Sequence, residues 1–376
     1  MSALLPVYPR LDLDLVRANG VYMYTSDGRQ ILDLYGAHAV CPLGHAHPEL
    51  AETLSNAYRT LDFYSNSLHM AVQERAANAV LGGSEHLAYV HFVNSGTEAN
   101  ESALHLARKL TGRKTVITLD SSFHGRTLGA LSVTGLGGYR GRIPLDVPAH
   151  WCRTFTLGQE DLSSIDETVA GVMIEAIVSL GGLYVPDAAW LQRVEARCRE
   201  VGAFFIFDEV QGGVGRTGTW YAHEAFGVKP DMVTLAKSLG AGFPVGAMVC
   251  TKAIGDRVGS GELGTTFGGG PMACAMVEAV ANIIRRDGLM TRVLEIEARI
   301  RAGLAGIPGV EVRGKGCLLG VETPVSANTV RDALLARDIM VGTSSHPRTL
   351  RLLAPYILQD EHVDRFVTTL KEVIGV

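Results

Sequence analysis

Between residues 75 and 260 the chain alternates between two kinds of hydrophobic pattern. Short apolar or β-branched runs recur at 88–93, 115–119, 171–174, 203–207, 232–235 and 245–250. Several are separated by stretches of helical period. In 187–200 the apolar set Trp190, Leu191, Val194 and Cys198 falls on one face, with Asp187 placed as the N-cap. In 98–110, Ala99, Ala103, Leu106, Ala107 and Leu110 form a similar stripe. Strands that read as continuous apolar runs between helices predict an α/β class, with a mostly parallel sheet covered on both faces. In such sheets the functional loops lie at the carboxyl ends of the strands.

The ends of the chain have another texture. Residues 21–24, the turn Ser26-Asp27-Gly28 and residues 31–34 predict an antiparallel hairpin. The last ~110 residues return to helices and short strands. The reading is an N-terminal segment, 1–48, joined to a smaller α+β domain at 263–376, with a large central domain at 49–262.

Composition narrows the function classes. The 376 residues carry 34 Lys+Arg against 39 Asp+Glu, a formal charge of −5, so no basic footprint for nucleic acid or anionic lipid exists. With 47% hydrophobic and 19% charged residues, the chain has ample material for a large core. Cys41, Cys152, Cys198, Cys250, Cys274 and Cys317 are scattered without pairing or ligand spacing and read as reduced core residues. No apolar run approaches a membrane span, and residues 1–14 lack a secretory pattern. The expectation is a cytoplasmic protein.

Chemistry is suggested at four strand ends. Asn94 to Asn100 opens a helix, where Ser95 and Glu98 form either a plain capping box or, with Gly96 and Thr97, an anion site made of free N–H groups. Ser121 to Thr127 brings Phe123, His124 and Arg126 together: a core plug and a surface charge, or a stacking ring and a carboxylate clamp. Asp208 ends the most apolar strand and needs a partner, either an arginine or a cofactor cation. Lys237, 29 positions later, follows another apolar strand and is a candidate carbonyl-binding amine. Two motifs are discounted. Gly213-Val214-Gly215-Arg216-Thr217-Gly218 satisfies GxGxxG but leads into no helix, and His45-Ala46-His47 has no third metal ligand at suitable spacing, so no metal is expected.

A phosphate cradle, a stacking aromatic, a strand-end carboxylate and a desolvated lysine together describe a site for pyridoxal 5'-phosphate. From Asp27-Gly28-Arg29 to Arg351-Leu352-Leu353, and above all in 207–218 and at Lys237, the sequence resembles the class III (ω-amino acid) aminotransferases of fold type I, nearest the acetylornithine and ornithine group. The resemblance implies that Lys237 binds the cofactor and shuttles protons. Asp208 would pair with the ring nitrogen, Gln211 approach the ring hydroxyl, and Val210 and Phe123 sandwich the ring. Ser95, Gly96 and Thr97 would hold the phosphate. Thr266 matches a position that reaches a phosphate across a dimer interface, so a homodimer with shared active sites is implied. Arg351 and Arg126 match the two carboxylate-binding arginines that suit an ω-amine donor such as N-acetylornithine and 2-oxoglutarate as acceptor. Ornithine, 4-aminobutyrate or another amine as donor, or an aminomutase of the same fold, would share these motifs.

Three positions depart from the family pattern. Leu180 stands where a glutamate ordinarily masks the arginine matched by Arg351, which should therefore lie open or find another anion. Gly270 replaces a usual asparagine, and His38 occupies a place near the substrate that is commonly aliphatic.

Overall fold

The computed structural model describes residues 3–141 and 151–375. The N-terminal strands β1 (Leu15–Asn19), β2 (Tyr22–Thr25) and β3 (Gln30–Asp33) form an antiparallel meander, with Tyr22 opposite Leu32 across the expected hairpin.

The central strands are β4 (Leu87–Val93), β5 (Thr115–Leu119), β6 (Cys152–Phe155), β7 (Val169–Glu175), β8 (Phe204–Asp208), β9 (Met232–Leu235) and β10 (Gly246–Thr251). They lie in the order β4-β10-β9-β8-β7-β5-β6, all parallel except β10, which runs against both β4 and β9. The strand β6 has no counterpart in the apolar runs read from sequence, because Arg153 and Thr154 interrupt its buried ends. Alternation along the strands divides the sheet into two apolar faces: Val172, Ile174, Phe205 and Phe207 point into one cluster, while Met173, Ile206 and Met232 point into another with Ala103 and Leu106 of the helix Gly96–Thr111. Both faces are thus covered, as continuous apolar strands require.

The remaining strands are β11 (Glu311–Lys315), β12 (Leu318–Glu322), β13 (Ile339–Met340), β14 (Gly342–Thr343) and β15 (Thr349–Leu352). β13 pairs in parallel with β3, and the others form a sheet in the order β11-β12-β15-β14, with Gly342 opposite Arg351. The six cysteines are free and buried. Among the described residues no helix is long and apolar enough to cross a membrane.

Candidate active site

The carboxyl ends of β5, β7, β8 and β9 converge on Asp208. Its Oδ2 accepts hydrogen bonds from Asn100 Nδ2 (2.8 Å) and His124 Nδ1 (2.7 Å), and its Oδ1 accepts one from Val210 N–H (3.0 Å). Of the two partners left open by the sequence, the arginine is absent among the described residues: the protein itself supplies Asn100, His124 and a backbone N–H. Asn100 is fixed in turn, donating to the His124 carbonyl and accepting from Thr234 Oγ1, both at 2.6 Å. His124 Nε2 meets Thr118 Oγ1 at 2.9 Å. Burying a carboxylate this deeply is costly without such a set of donors, and Oδ1 retains capacity for one more.

Lys237 begins a single helical turn after β9, with φ +46°, in the left-handed region that side chains enter at a cost. Loss of hydration lowers its amine to about 8, against the opposing pull of Asp208 and Glu175 and with help from Arg351 and Arg216. A neutral amine near physiological pH is the form that attacks a carbonyl.

Ser95 caps the helix Gly96–Thr111, its Oγ accepting from Glu98 N–H and donating to Glu98 Oε2. The Ser95 half of the capping box forms, while the Glu98 carboxylate accepts from Asn94 N–H (2.8 Å) rather than from Ser95 N–H, and this does not consume the anion site. The N–H groups of Gly96 and Thr97 precede the first intrahelical bond, Ala99 N–H to the Ser95 carbonyl, and point out of the helix start. A Cβ at Gly96 would lie 2.7 and 2.8 Å from the methyls of Val210, and one at Gly125 would overlap Thr97. The glycines therefore keep the cradle open for a group such as phosphate.

Phe123 is anchored through its N–H to Glu175 Oε1 (2.8 Å), and its ring meets Tyr139 edge-on. Gln211 Oε1 is buried without a protein partner, which fits a polar ring substituent nearby. Glu175, buried at the end of β7, is pushed up to about 7, chiefly by burial. These features suit pyridoxal phosphate: open N–H groups for the phosphate, a spare carboxylate oxygen on Asp208, an unpaired amide oxygen and a reactive amine.

The two candidate clamps differ. Arg126 is exposed, stacked 5.3 Å from the rings of both Tyr8 and Tyr139, with its Nη1 3.3 Å from Tyr8 Oη. Arg351 is buried; its Nε donates to the Thr343 carbonyl (2.8 Å) and its Nη2 to Tyr35 Oη (2.5 Å). Leu180 brings no charge to it, and no other carboxylate pairs with it among the described residues. The expectation that Arg351 lies open or finds another anion is corrected: neutral oxygens hold it. His38 contacts Tyr35 and is pushed down to about 4, first by lost hydration and then by the charges of Arg351, Lys237 and Arg126.

Other motifs stay apart. Gly213–Gly218 forms tight turns with positive φ at Val214, Gly215 and Gly218, and opens no helix. Its Arg216 is wholly buried and donates to the carbonyls of Cys317, Ala354 and Ala39 and to Ser238 Oγ. His45 Nε2 meets Asp33 Oδ2 at 2.9 Å, and no metal-binding group of three or more acidic, histidine or cysteine side chains occurs among the described residues. Thr266 is exposed beside Phe267, while its neighbour Thr265 accepts from Asn94 Nδ2 (2.9 Å).

Three members of the site were not singled out from sequence: Asn100, Glu175 and Tyr35. Two left a trace. Asn100 lies one helical turn past Gly96 on the same face, and Glu175 ends a strand as apolar as the one Asp208 ends. Tyr35 left none, because its contact with Arg351 spans 316 positions.

The family described as aminotransferase class-III matches residues 6–374. The chain is 35% identical to an acetylornithine aminotransferase of Listeria innocua over all of this chain and 98% of that protein. It is 37% identical to an acetylornithine aminotransferase of Methanosarcina acetivorans over 97% of this chain and 92% of the relative. Its fold is similar to that of the ornithine aminotransferase of Toxoplasma gondii, a structure with partial occupancy of pyridoxal phosphate, with a TM-score of 0.90, 25% identity and coverage of 99% of this chain and 92% of the other.

Proposed function

The chain belongs to the class-III aminotransferases, pyridoxal-phosphate-dependent enzymes, and from that premise we propose that it moves the terminal amino group of N-acetylornithine to 2-oxoglutarate, giving glutamate and a semialdehyde. The observation that carries the choice of substrates is a pair of arginines free of any carboxylate partner among the described residues, Arg126 exposed against Tyr8 and Tyr139 and Arg351 buried, whose charge also acts on Lys237. Two guanidinium forks suit a dicarboxylate acceptor, and a donor whose amine lies far from its carboxylate. The names of the relatives support the same donor.

When bound, the cofactor supplies a carbonyl that takes up amines and a ring that withdraws electrons. The residues supply the rest. Gly96 and Thr97 N–H groups, with Ser95, hold the phosphate. Phe123 and Val210 confine the ring, and Gln211 meets its hydroxyl. Asp208, held by Asn100 and His124, keeps a proton on the ring nitrogen. Lys237 Nζ holds the cofactor and then moves a proton at the substrate carbon, a task that a pKa near operating pH serves best.

We take the active enzyme to be a homodimer in which Thr266 faces the phosphate of the partner's site. Exposed Leu4, Leu5, Val7, Tyr8 and Phe267 support this by offering apolar surface to a second copy.

One observation favours a second reading of the donor. Arg351 has no carboxylate on it, so α-amino acids should compete better, and ω-amine donors fare worse, than in relatives with the usual glutamate. The test is glutamate formation from 2-oxoglutarate with N-acetylornithine, ornithine and 4-aminobutyrate compared as donors. N-Acetylornithine giving the highest kcat/KM supports the proposal, and a higher value for another donor overturns it.

A further inference from the structure

Arg351 is a buried cation whose side-chain hydrogen bond is to a phenol rather than a carboxylate. Its Nη2 donates to Tyr35 Oη at 2.5 Å, and Tyr35 Oη lies 2.8 Å from His38 Nδ1. Because arginine can only donate, the Tyr35 oxygen accepts from it, and the phenol proton can then go to His38 Nδ1 when that ring carries its own proton on Nε2. In that tautomer the relay runs from Arg351 to Tyr35 to His38. It requires a neutral His38 with a bare Nδ1. Lost hydration, and the positive charges of Arg351, Lys237 and Arg126, push His38 down to about 4, which favours the neutral ring; the relay takes its Nε2–H tautomer.

The backbone is arranged to make this contact. Ala37, His38 and Ala39 have φ values of +50°, +67° and +69°, an uncommon run for residues with side chains. It returns His38 over Tyr35, with ring centroids 4.6 Å apart. On the opposite side, Gly342 is the register partner of Arg351, and a Cβ there would overlap the Tyr35 ring. Gly342 thus leaves the space through which Tyr35 reaches Arg351.

We propose that Tyr35 and His38 are positioning residues for Arg351, an uncharged relay that aims its guanidinium at a substrate carboxylate and stands in for the carboxylate latch that Leu180 lacks. The inference rests on Arg351 being a carboxylate clamp. Thr343 and Tyr35 take one N–H of Nε and one of Nη2, so Nη1 and the second Nη2 proton remain for the substrate. A neutral holder need not be displaced for a carboxylate to bind, as an ion-paired one must. Arg351 then stays available in both halves of the cycle.

The test uses the holoenzyme and variants Tyr35→Phe, Gly342→Ala, His38→Leu and His38→Asn, with kinetics in 2-oxoglutarate and calorimetric binding of glutarate, an unreactive dicarboxylate. Loss of a hydrogen bond to a charged group predicts that Tyr35→Phe raises the KM for 2-oxoglutarate and the Kd for glutarate roughly tenfold, with kcat within about twofold. Gly342→Ala should shift the same two constants. His38→Leu should weaken both, and His38→Asn, whose Oδ1 offers an acceptor in place of Nδ1, should restore them. In Tyr35→Phe/His38→Leu the His38 change should add nothing, because residues acting through one contact are not additive. Unchanged glutarate binding in Tyr35→Phe, or additive effects in the double variant, would overturn the relay. A wild-type enzyme that does not bind glutarate would instead remove the clamp reading on which it rests.

Discussion

Glu175 lies directly beside Asp208, the two closing adjacent parallel strands as register partners. Two buried carboxylates this close cannot both ionise freely. Asp208 has the donors, Asn100, His124 and Val210 N–H. Glu175 has two backbone N–H groups, from Phe123 and Ser179, and burial, with Asp208 adding to it, pushes it up to about 7. Its folded pKa exceeds the ordinary value, so the native state binds the extra proton between about 4.5 and 7. Stability from this group is present at low pH and is lost as pH rises through 7. Relative to wild type, Glu175→Gln should therefore gain stability between pH 5 and 8, read as a rising difference in urea midpoints. A difference that does not change with pH would contradict the assignment.

Asp208→Asn should lower kcat about 100-fold or more, since a charge aimed at the reacting ring is replaced by a dipole. His124→Phe keeps the charge but frees it to move, and should lower kcat about tenfold. Steady-state kinetics at saturating substrates separate the two, and equal losses would mean that His124 does more than hold Asp208.

The chain without its cofactor should show an unusual lysine. The Lys237 amine is lowered to about 8, so half of it is uncharged near that pH instead of above 10. The pH dependence of pyridoxal phosphate uptake at Lys237 should have its midpoint there, followed by the absorbance of the lysine-bound cofactor. A midpoint near the ordinary lysine value would show that the amine is not desolvated.

Gly96→Ala places a methyl against Val210, 2.7 and 2.8 Å from its two terminal carbons. Overpacking of this kind costs enough to weaken cofactor affinity about tenfold, measured as the Kd for pyridoxal phosphate. Wild-type affinity would show that the cradle has slack.

Leu180→Glu offers Arg351 a carboxylate. If Leu180 is what opens this enzyme to α-amino acids, the variant should raise the kcat/KM ratio of N-acetylornithine to glutamate as donors. An unchanged ratio would mean that Leu180 does not set donor choice.

Local signals accounted for much of this site, and long-range ones did not. The runs at 115–119 and 232–235 coincide with β5 and β9, because strands covered on both faces carry a continuous apolar signature. Asp208 and Lys237 stood out as polar groups ending such runs. The partners of Asp208 were hidden because Asn100 and His124 reach it only after helix and loop fold back across 108 and 84 positions. The antiparallel course of β10 was equally invisible, since an apolar run carries no direction. GxGxxG at 213–218 had a visible pattern without its chemistry: its glycines turn the chain around the buried Arg216.

The most direct measurement is the visible spectrum of the purified holoenzyme in single turnover, mixed separately with N-acetylornithine, ornithine, 4-aminobutyrate and glutamate. The account predicts that N-acetylornithine and glutamate each bleach the yellow absorbance rapidly and that 2-oxoglutarate restores it. Bleaching by glutamate alone, with N-acetylornithine inert, would contradict the proposed donor.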